Sequence, residues 1–297
     1  MKSSVSDLGA IGFALAGFTF WVLGDSSIKL MGQFGLPPYE MVAFLGLFMA
    51  MFLGAFALLR GNVQVLRPRN LKRQVARACL DMVGTMSVVV ALRHLTLTIF
   101  YILIFMAPMT IALLSALFLR EGLSWRKWVA ILAGFAGVVV AVDPWGSARQ
   151  GDWIGFGACM VCVASFSINM VWSRVLTRTE TPESLAFCSG LVTASAGFVL
   201  MLFHAVPLTA PLTAELFATG LFWASGTLCF YTAVKHTSAA NVSQYHYTQL
   251  VTGTLVSYLV WHDKPGLFVL MGGALILASG LYIAVAAQDR VPLTVGD

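Results

Sequence analysis

Ten stretches of about 20 predominantly apolar residues follow one another along the chain, separated by short segments rich in Pro, Gly or charged residues. They cover roughly residues 8–28, 39–59, 74–92, 97–118, 125–142, 152–173, 184–203, 213–234, 241–260 and 266–287. A helix of about 20 residues crosses the ~30 Å hydrocarbon core of a bilayer. Within that core a helix satisfies its own backbone amides. The sequence therefore predicts an all-α integral membrane protein with ten transmembrane helices, with the lipid bilayer as its surroundings.

The charged residues are few and unevenly distributed. They make up 10% of the 297 residues, whereas about 25% is usual in a soluble protein. If the N-terminus is cytoplasmic, fourteen of the 18 Lys and Arg face the cytoplasm, and only Lys29, Arg93, Arg149 and Lys264 lie outside. The positive-inside rule then predicts that both termini are cytoplasmic, in a bacterial inner (cytoplasmic) membrane. It also explains the net charge of +5 without a nucleic-acid partner.

The two halves of the sequence resemble each other weakly. A shift of 142 residues places Arg93-His94-Leu95-Thr96 over Lys235-His236-Thr237-Ser238, and Glu121 over Asp263. We expect a five-helix repeat at residues 1–145 and a second at 146–297. Because five is odd, the second repeat would cross the membrane in the opposite sense. Inverted repeats are typical of secondary transporters, whose substrate site lies near the membrane midplane between the halves.

Several short motifs resemble those of a known family. They are Ala91-Leu92-Arg93-His94, Pro108-Met109-Thr110, Arg120-Glu121-Gly122-Leu123-Ser124 and Trp128. With about 300 residues and ten spans, the chain resembles the EamA-type exporters of the drug/metabolite transporter superfamily. Its second half departs from their pattern at Leu250 and at Trp261-His262-Asp263-Lys264. Among these exporters it is most similar to those of aromatic amino acids in bacteria.

The resemblance implies an architecture and an activity. It implies that the first, third, fourth, sixth, eighth and ninth helices line a cavity, and that the others support them. The sequence agrees, because the supporting spans are nearly free of amides and carboxylates. It also implies export of aromatic amino acids and other neutral solutes.

Polar residues recur along one face of the ninth span. Asn241, Gln244, Tyr245, Thr248 and Thr252 are spaced by about three or four residues, with His246 and Gln249 beside them. The stripe could line a solute path or make hydrogen bonds between helices, which contribute only ~0.6 kcal/mol each. Trp and Tyr rings near polar faces could bind a solute or anchor helices at the interfaces. The predicted substrate-binding residues are Trp21, Tyr101, Asn169, Trp223, Gln244, Tyr245, His246, Thr248 and Gln249.

Ionisable and helix-breaking residues within the spans add further candidates. Asp81 lies one turn after Arg77, so we expect either an i,i+4 ion pair or a proton-coupling carboxylate or counter-ion for a substrate amine. Asp25 and Lys29 have the same spacing and predict an ion pair at the outer rim. Pro108 removes a backbone hydrogen bond within the fourth span and is a candidate hinge.

These observations favour a secondary transporter that exports small neutral or zwitterionic metabolites by alternating access. A nucleotide-sugar or phosphate-ester antiporter is an alternative, but anionic solutes call for Lys or Arg in the cavity. An intramembrane enzyme is a further alternative, yet no paired-carboxylate or H-E-x-x-H arrangement is present. We expect no cofactor and no metal site, since Cys159 and Cys162 have no second pair or nearby His. The oligomeric state stays open, and a monomer is compatible with the predicted fold.

Overall fold

The computed structural model describes residues 7–119, 125–142, 153–203, 205–236, 242 and 245–288. These residues contain α-helices and one 3₁₀ turn (Val63–Leu66), and no strand lies among them. The α-helices are α1 (Asp7–Gln33), α2 (Pro38–Leu59), α3 (Leu71–His94), α4 (Leu97–Ile104), α5 (Met106–Leu119), α6 (Trp125–Val142), α7 (Trp153–Leu176), α8 (Pro182–Met201), α9 (Ala210–His236), α10 (Tyr247–Trp261) and α11 (Leu267–Gln288). The all-helical prediction is confirmed for this part of the chain.

Six of these helices are long and apolar enough to cross a membrane, namely α1, α2, α3, α7, α8 and α9. Shorter apolar helical stretches run over Leu97–Ile111, Trp128–Ala141 and Leu267–Tyr282. The structure is therefore that of a multi-pass membrane protein. The number of ten spans remains a prediction.

Two of the predicted spans differ in the structure. The fourth was expected as one helix over 97–118, but α4 ends at Ile104 and α5 begins at Met106. Pro108 has no N–H to donate to the carbonyl of Ile104, which weakens the helix at this break. The ninth span was expected as one helix over 241–260, but Tyr245 and His246 form a turn before α10 begins at Tyr247. Val242 is helical, and residues 241, 243 and 244 lie outside the described residues.

The helices pack in pairs that join the two halves of the chain. The main contacts are of α1 with α9, α3 with α7, α2 with α8, and α6 with α11. Small residues permit these close approaches. A Cβ atom on Gly197 in α8 would lie 2.5 Å from the Cα of Ala43 in α2. Because van der Waals packing drives helix association in lipid, such glycines fix which faces meet.

Two buried glutamates join connecting segments across the halves. The Glu180 carboxylate accepts hydrogen bonds from the backbone amides of Arg69 (3.0 Å) and Asn70 (2.9 Å), just before α3. Glu40 Oε1, in the first turn of α2, accepts one from the amide of Val206 at 2.6 Å, after α8. The start of α2 thus lies near the end of α8, so these packed helices run antiparallel. It follows that the two glutamate contacts lie at opposite ends of the helix bundle.

Candidate functional site

A cavity of about 100 Å³ lies between the helix pairs α1–α9 and α3–α7. Its walls also include residues of α4 and α10. The resemblance implied that the second and seventh spans only support the cavity, and this is wrong. Leu45 and Met49 of α2 and Ser189 and Thr193 of α8 lie on its wall. The reason is the close packing of α2 on α8, which brings one face of each helix to the centre of the bundle.

The cavity brings together six of the nine predicted substrate-binding residues. Those on its wall are Trp21, Tyr101, Asn169, Trp223, His246 and Gln249. Tyr245 and Thr248 are described but do not line it. Thr248 donates its hydroxyl hydrogen to the Tyr245 carbonyl at 2.7 Å, and Tyr245 packs against a neighbouring apolar cluster. Gln244 lies outside the described residues.

One end of the cavity is built around the buried guanidinium of Arg77 on α3. Its Nη1 donates to Asn169 Oδ1 (3.2 Å) and to the hydroxyl of Tyr231. Its Nη2 donates to the Leu185 carbonyl (2.8 Å) and to Ser189 Oγ (2.7 Å). The guanidinium also lies 5.3 Å from the centre of the Tyr231 ring, within cation–π range. Arg77 therefore connects α3 to α7, α8 and α9, and both of its terminal nitrogens are already occupied by the protein.

Asp81 lies beside this guanidinium and faces the cavity. Its Oδ2 is 3.8 Å from Arg77 Nη1, an ion pair at i,i+4. Its Oδ1 accepts a hydrogen bond from Asn169 Nδ2 at 2.6 Å, and Ser173 donates to Asn169 Oδ1 at 2.8 Å. The Asp81 side chain is 28% exposed, while that of Arg77 is fully buried. The charge of Arg77 is thus offset within the protein, and a coupling role for Asp81 remains a prediction.

The other end of the cavity contains Asp25, and its partner differs from the expected one. Tyr101 on α4 donates its hydroxyl hydrogen to Asp25 Oδ2 at 2.8 Å. Lys29 instead donates to the carbonyl of Leu95 at 2.8 Å, where a cation is favoured at the C-terminal end of α3. The expected rim ion pair between Asp25 and Lys29 is therefore wrong. In the described part of the chain, no Lys, Arg or His lies within ion-pair distance of Asp25.

Aromatic rings line the middle of the cavity. Trp21 lies 5.0 Å from Phe230 and 6.2 Å from Phe166 between ring centres, and its indole N–H points to Thr227 Oγ1 at 3.4 Å. The His246 ring lies 5.1 Å from that of Phe166. These rings form flat apolar walls suited to an aromatic or aliphatic group.

Two buried ring nitrogens of the wall have no hydrogen-bond partner among the described residues. They are Nδ1 of His246 and Nε1 of Trp223. A buried polar atom that is left unpaired costs free energy. These two atoms are therefore available to a polar group that enters the cavity.

Glycines place the key rings. A Cβ on Gly24 would lie 2.6 Å from Trp223 Nε1, and one on Gly226 would lie 2.5 Å from Cδ1 of Trp21. A Cβ on Gly253 in α10 would overlap the ring of Tyr101. Each ring therefore packs directly on the backbone of a facing helix.

Some wall residues were not singled out from the sequence as site residues. Asp25 was assigned to the rim, and Thr85, Ser165 and Thr193 were not considered, yet all line the cavity. Hydroxyl residues are common in membrane helices and give little local signal. The signal for Asp25 was its position inside the first helix, where an ionisable residue calls for a function. No group of three or more His, Cys, Asp or Glu that could hold a metal lies among the described residues.

Comparison with known proteins identifies the family. The sequence profile of the EamA-like transporter family matches the chain twice, over residues 8–142 and again over 153–285. The chain belongs to the EamA-like transporter family. Like other members of this family, which lies within the drug/metabolite transporter superfamily, it is a multi-pass membrane transporter.

Relatives of this EamA-like transporter match it along most of their length. It is 24% identical over 289 residues to an S-adenosylmethionine uptake transporter of Rickettsia bellii, covering 95% of each chain. It is 26% identical over 287 residues to a riboflavin transporter of Rhizobium johnstonii, covering 95% of this chain and 93% of the relative. A pseudopaline exporter of Pseudomonas aeruginosa is 24% identical over 277 residues, covering 91% and 94%. All three are named as transporters of small molecules, and none as an enzyme.

A protein of known crystal structure has the same fold. It superimposes on the EamA-like transporter with a TM-score of 0.67 at 21% sequence identity. The match covers 95% of this chain and 99% of the other.

Proposed function

We propose that this EamA-like transporter is a secondary exporter of small neutral or zwitterionic metabolites, among them amino acids with aromatic side chains. The observation that supports this best is the cavity between the two halves, with aromatic rings at its middle and a carboxylate towards each end. Aromatic rings pack against an apolar side chain, and carboxylates accept hydrogen bonds from an ammonium group. The resemblance to the bacterial aromatic amino-acid exporter YddG, inferred from the sequence motifs, supports the same class of solute.

The charges around the cavity argue against anionic solutes. Arg77 lies at one end of the cavity, but Asp81 offsets its charge and its terminal nitrogens donate to protein groups. None of the described residues on the cavity wall is a Lys or Arg. A nucleotide-sugar or phosphate-ester antiporter would need such a group unpaired in the cavity. This charge pattern therefore favours the neutral or zwitterionic class.

Alternating access between two inverted five-helix repeats, residues 1–145 and 146–297, is the mechanism we propose. The twofold match of the family profile supports the duplication. The packing supports a pseudo-twofold relation, because exchanging the two halves turns the α1–α9 pair into the α7–α3 pair. In the same way, α2 packs on its counterpart α8, and α6 packs on its counterpart α11. Rocking of the halves about the cavity would open each end in turn. The contacts of Glu40 and Glu180 lie at opposite ends, so each would open in one state.

The orientation with both termini in the cytoplasm of a bacterium rests on the distribution of Lys and Arg. In that orientation the Arg77 end of the cavity is nearer the cytoplasm and the Asp25 end is nearer the outside. The relatives include both importers and an exporter by name. The direction of transport in cells would follow from solute gradients and from the coupling ion.

Transport by purified protein in proteoliposomes tests the proposal. We expect labelled Trp, Phe and Thr to cross with the wild type and the rate to fall at least about tenfold in Trp21→Ala, because its ring forms the central wall. Trp125→Ala is the matched control, since Trp125 is 71% exposed and lies outside the cavity. Gln244→Ala tests the predicted stripe of the ninth span. No transport of any of these solutes by wild type would refute the proposed substrates.

A second measurement distinguishes facilitated diffusion from proton coupling. An imposed pH gradient should accelerate transport only if protons are coupled to it. We expect Asp81→Asn to abolish that acceleration if Asp81 carries the proton. An unchanged response to the gradient in this variant would remove Asp81 from the coupling mechanism.

A further inference from the structure

Asp25 is a buried carboxylate whose hydrogen bonding is incomplete. The residue is 5% exposed and lines the cavity, and Tyr101 is its one hydrogen-bond donor among the described residues. An ionised carboxylate can accept about four hydrogen bonds. Burying one without a cation is costly. By contrast, Asp81 at the other end is already paired with Arg77. Among the described residues, no positive charge pairs with Asp25, so a cationic group of a solute can take that place.

The second observation is the indole N–H of Trp223, at the same end. Its Nε1 is buried and has no acceptor among the described residues, although the ring lines the cavity. The ring packs on Gly24, the residue that precedes Asp25, so the donor and the carboxylate lie at the same level of the cavity that both side chains line. This end of the cavity thus offers a carboxylate that can accept further hydrogen bonds and an indole N–H without a described acceptor. A group that carries both an ammonium and a carboxylate complements this arrangement.

We propose that Asp25, Tyr101 and Trp223 form a head-group subsite that binds the ammonium and adjoining carboxylate of an α-amino acid. Asp25 accepts hydrogen bonds from the ammonium, and Tyr101 holds the carboxylate of Asp25 in place. Trp223 Nε1 donates to the carboxylate of the solute, whose side chain then extends along the rings of Trp21 and Phe166. This inference rests on the proposed function, because it names the part of the solute that the cavity recognises.

Three related probes test the subsite without any change to the protein. They are L-phenylalanine, 2-phenylethylamine, which lacks the carboxylate, and 3-phenylpropionate, which lacks the ammonium. Binding to the purified full-length protein is measured by isothermal titration calorimetry. We expect phenylalanine to bind most tightly and phenylpropionate to bind at least tenfold more weakly than phenylethylamine. Equal binding of phenylpropionate and phenylethylamine would overturn the proposal, as would the absence of binding by both ammonium probes.

Variants then assign the roles. Asp25→Asn should weaken both ammonium probes at least about tenfold, because a hydrogen bond to a charged group is lost. Trp223→Phe should weaken phenylalanine about fivefold, the effect of one hydrogen bond, and leave phenylethylamine within twofold. Asp263→Asn is the matched control, since Asp263 bonds to Ser257 and does not line the cavity. If Asp25→Asn does not fold, Tyr101→Phe serves instead, with an expected loss of about threefold.

The outcomes separate this inference from the proposed function. Binding of ammonium probes that depends on Asp25, without transport of any amino acid, would refute the proposed function and leave the subsite. Transport of amino acids that is unchanged in Asp25→Asn would refute the subsite and leave the function. If Asp25→Asn binds phenylalanine within twofold of wild type but no longer responds to a pH gradient, Asp25 binds a proton and the subsite is refuted.

Discussion

Replacing Arg77 by Met should destabilise the protein strongly, although the chain becomes more apolar. Met occupies much of the volume of the Arg side chain, so the change removes the guanidinium without leaving a large cavity. The guanidinium makes hydrogen bonds to Asn169, Tyr231, Ser189 and the Leu185 carbonyl. Loss of the guanidinium therefore removes the hydrogen bonds that connect α3 to α7, α8 and α9. It also leaves Asp81 without its cation.

The size of the effect follows from these contacts. Hydrogen bonds between membrane helices contribute about 0.6 kcal/mol on average, so the four bonds together amount to about 2.4 kcal/mol. Breaking a buried ion pair from one side costs about 3–5 kcal/mol. This cost is smaller for Asp81, because its side chain is 28% exposed and keeps the bond from Asn169. We expect a total of about 3 kcal/mol.

Thermal unfolding of the purified protein in detergent provides the assay. At about 2–4 °C per kcal/mol, the midpoint of Arg77→Met should fall by about 6–12 °C. Arg73→Met is the matched control, because Arg73 lies one turn earlier on the same helix and is exposed. Its effect should stay within about 0.5 kcal/mol.

The double variant Arg77→Met with Asp81→Asn tests the electrostatic part of the reasoning. With both charges removed, no uncompensated carboxylate remains, so the electrostatic part of the loss, about 0.6 kcal/mol, should be recovered. If the double variant is no more stable than Arg77→Met, the ion pair contributes nothing. A midpoint of Arg77→Met within 2 °C of the wild type would refute the whole argument.

Other predictions concern the positions that shape the cavity and its ends. Gly253→Ala should displace the Tyr101 ring and lower the transport rate at least about tenfold. Gly157→Ala is the control and should leave the rate unchanged, because its added Cβ meets no neighbour within 4 Å. Equal transport rates in the two variants would contradict the packing argument. Glu180→Gln should weaken the bonds to the amides before α3 by about 1 kcal/mol, which hydrogen–deuterium exchange of residues 67–72 would show as about fivefold faster exchange. Glu40→Gln should have the same effect on residues 205–208, and unchanged exchange would show that these contacts do not hold the connecting segments.

The sequence determined the class of protein and much of the helical layout. Whether an apolar helix is long enough to cross the membrane depends only on the segment itself. The long apolar stretches therefore predicted α1, α2, α3, α7, α8 and α9 directly. It also located most of the polar and aromatic residues on the cavity wall, since such groups within apolar spans stand out. The helix boundaries predicted from the sequence were least accurate at Phe105 and before Tyr247, where helices are interrupted within apolar sequence.

Only the tertiary structure decided which of these residues meet. Asp25 is hydrogen-bonded to Tyr101, which lies 76 residues away in the sequence, and Arg77 is hydrogen-bonded to Tyr231, 154 residues away. From the i,i+4 spacing, the sequence predicted an ion pair between Lys29 and Asp25. The lysine instead donates a hydrogen bond to the carbonyl at the end of α3. The physical reason is that hydropathy sets the depth of a residue in the membrane, whereas its partner depends on how each helix is rotated about its axis. That rotation is fixed by close contacts such as those at Gly24 and Gly253, which appear only when two distant helices are packed together.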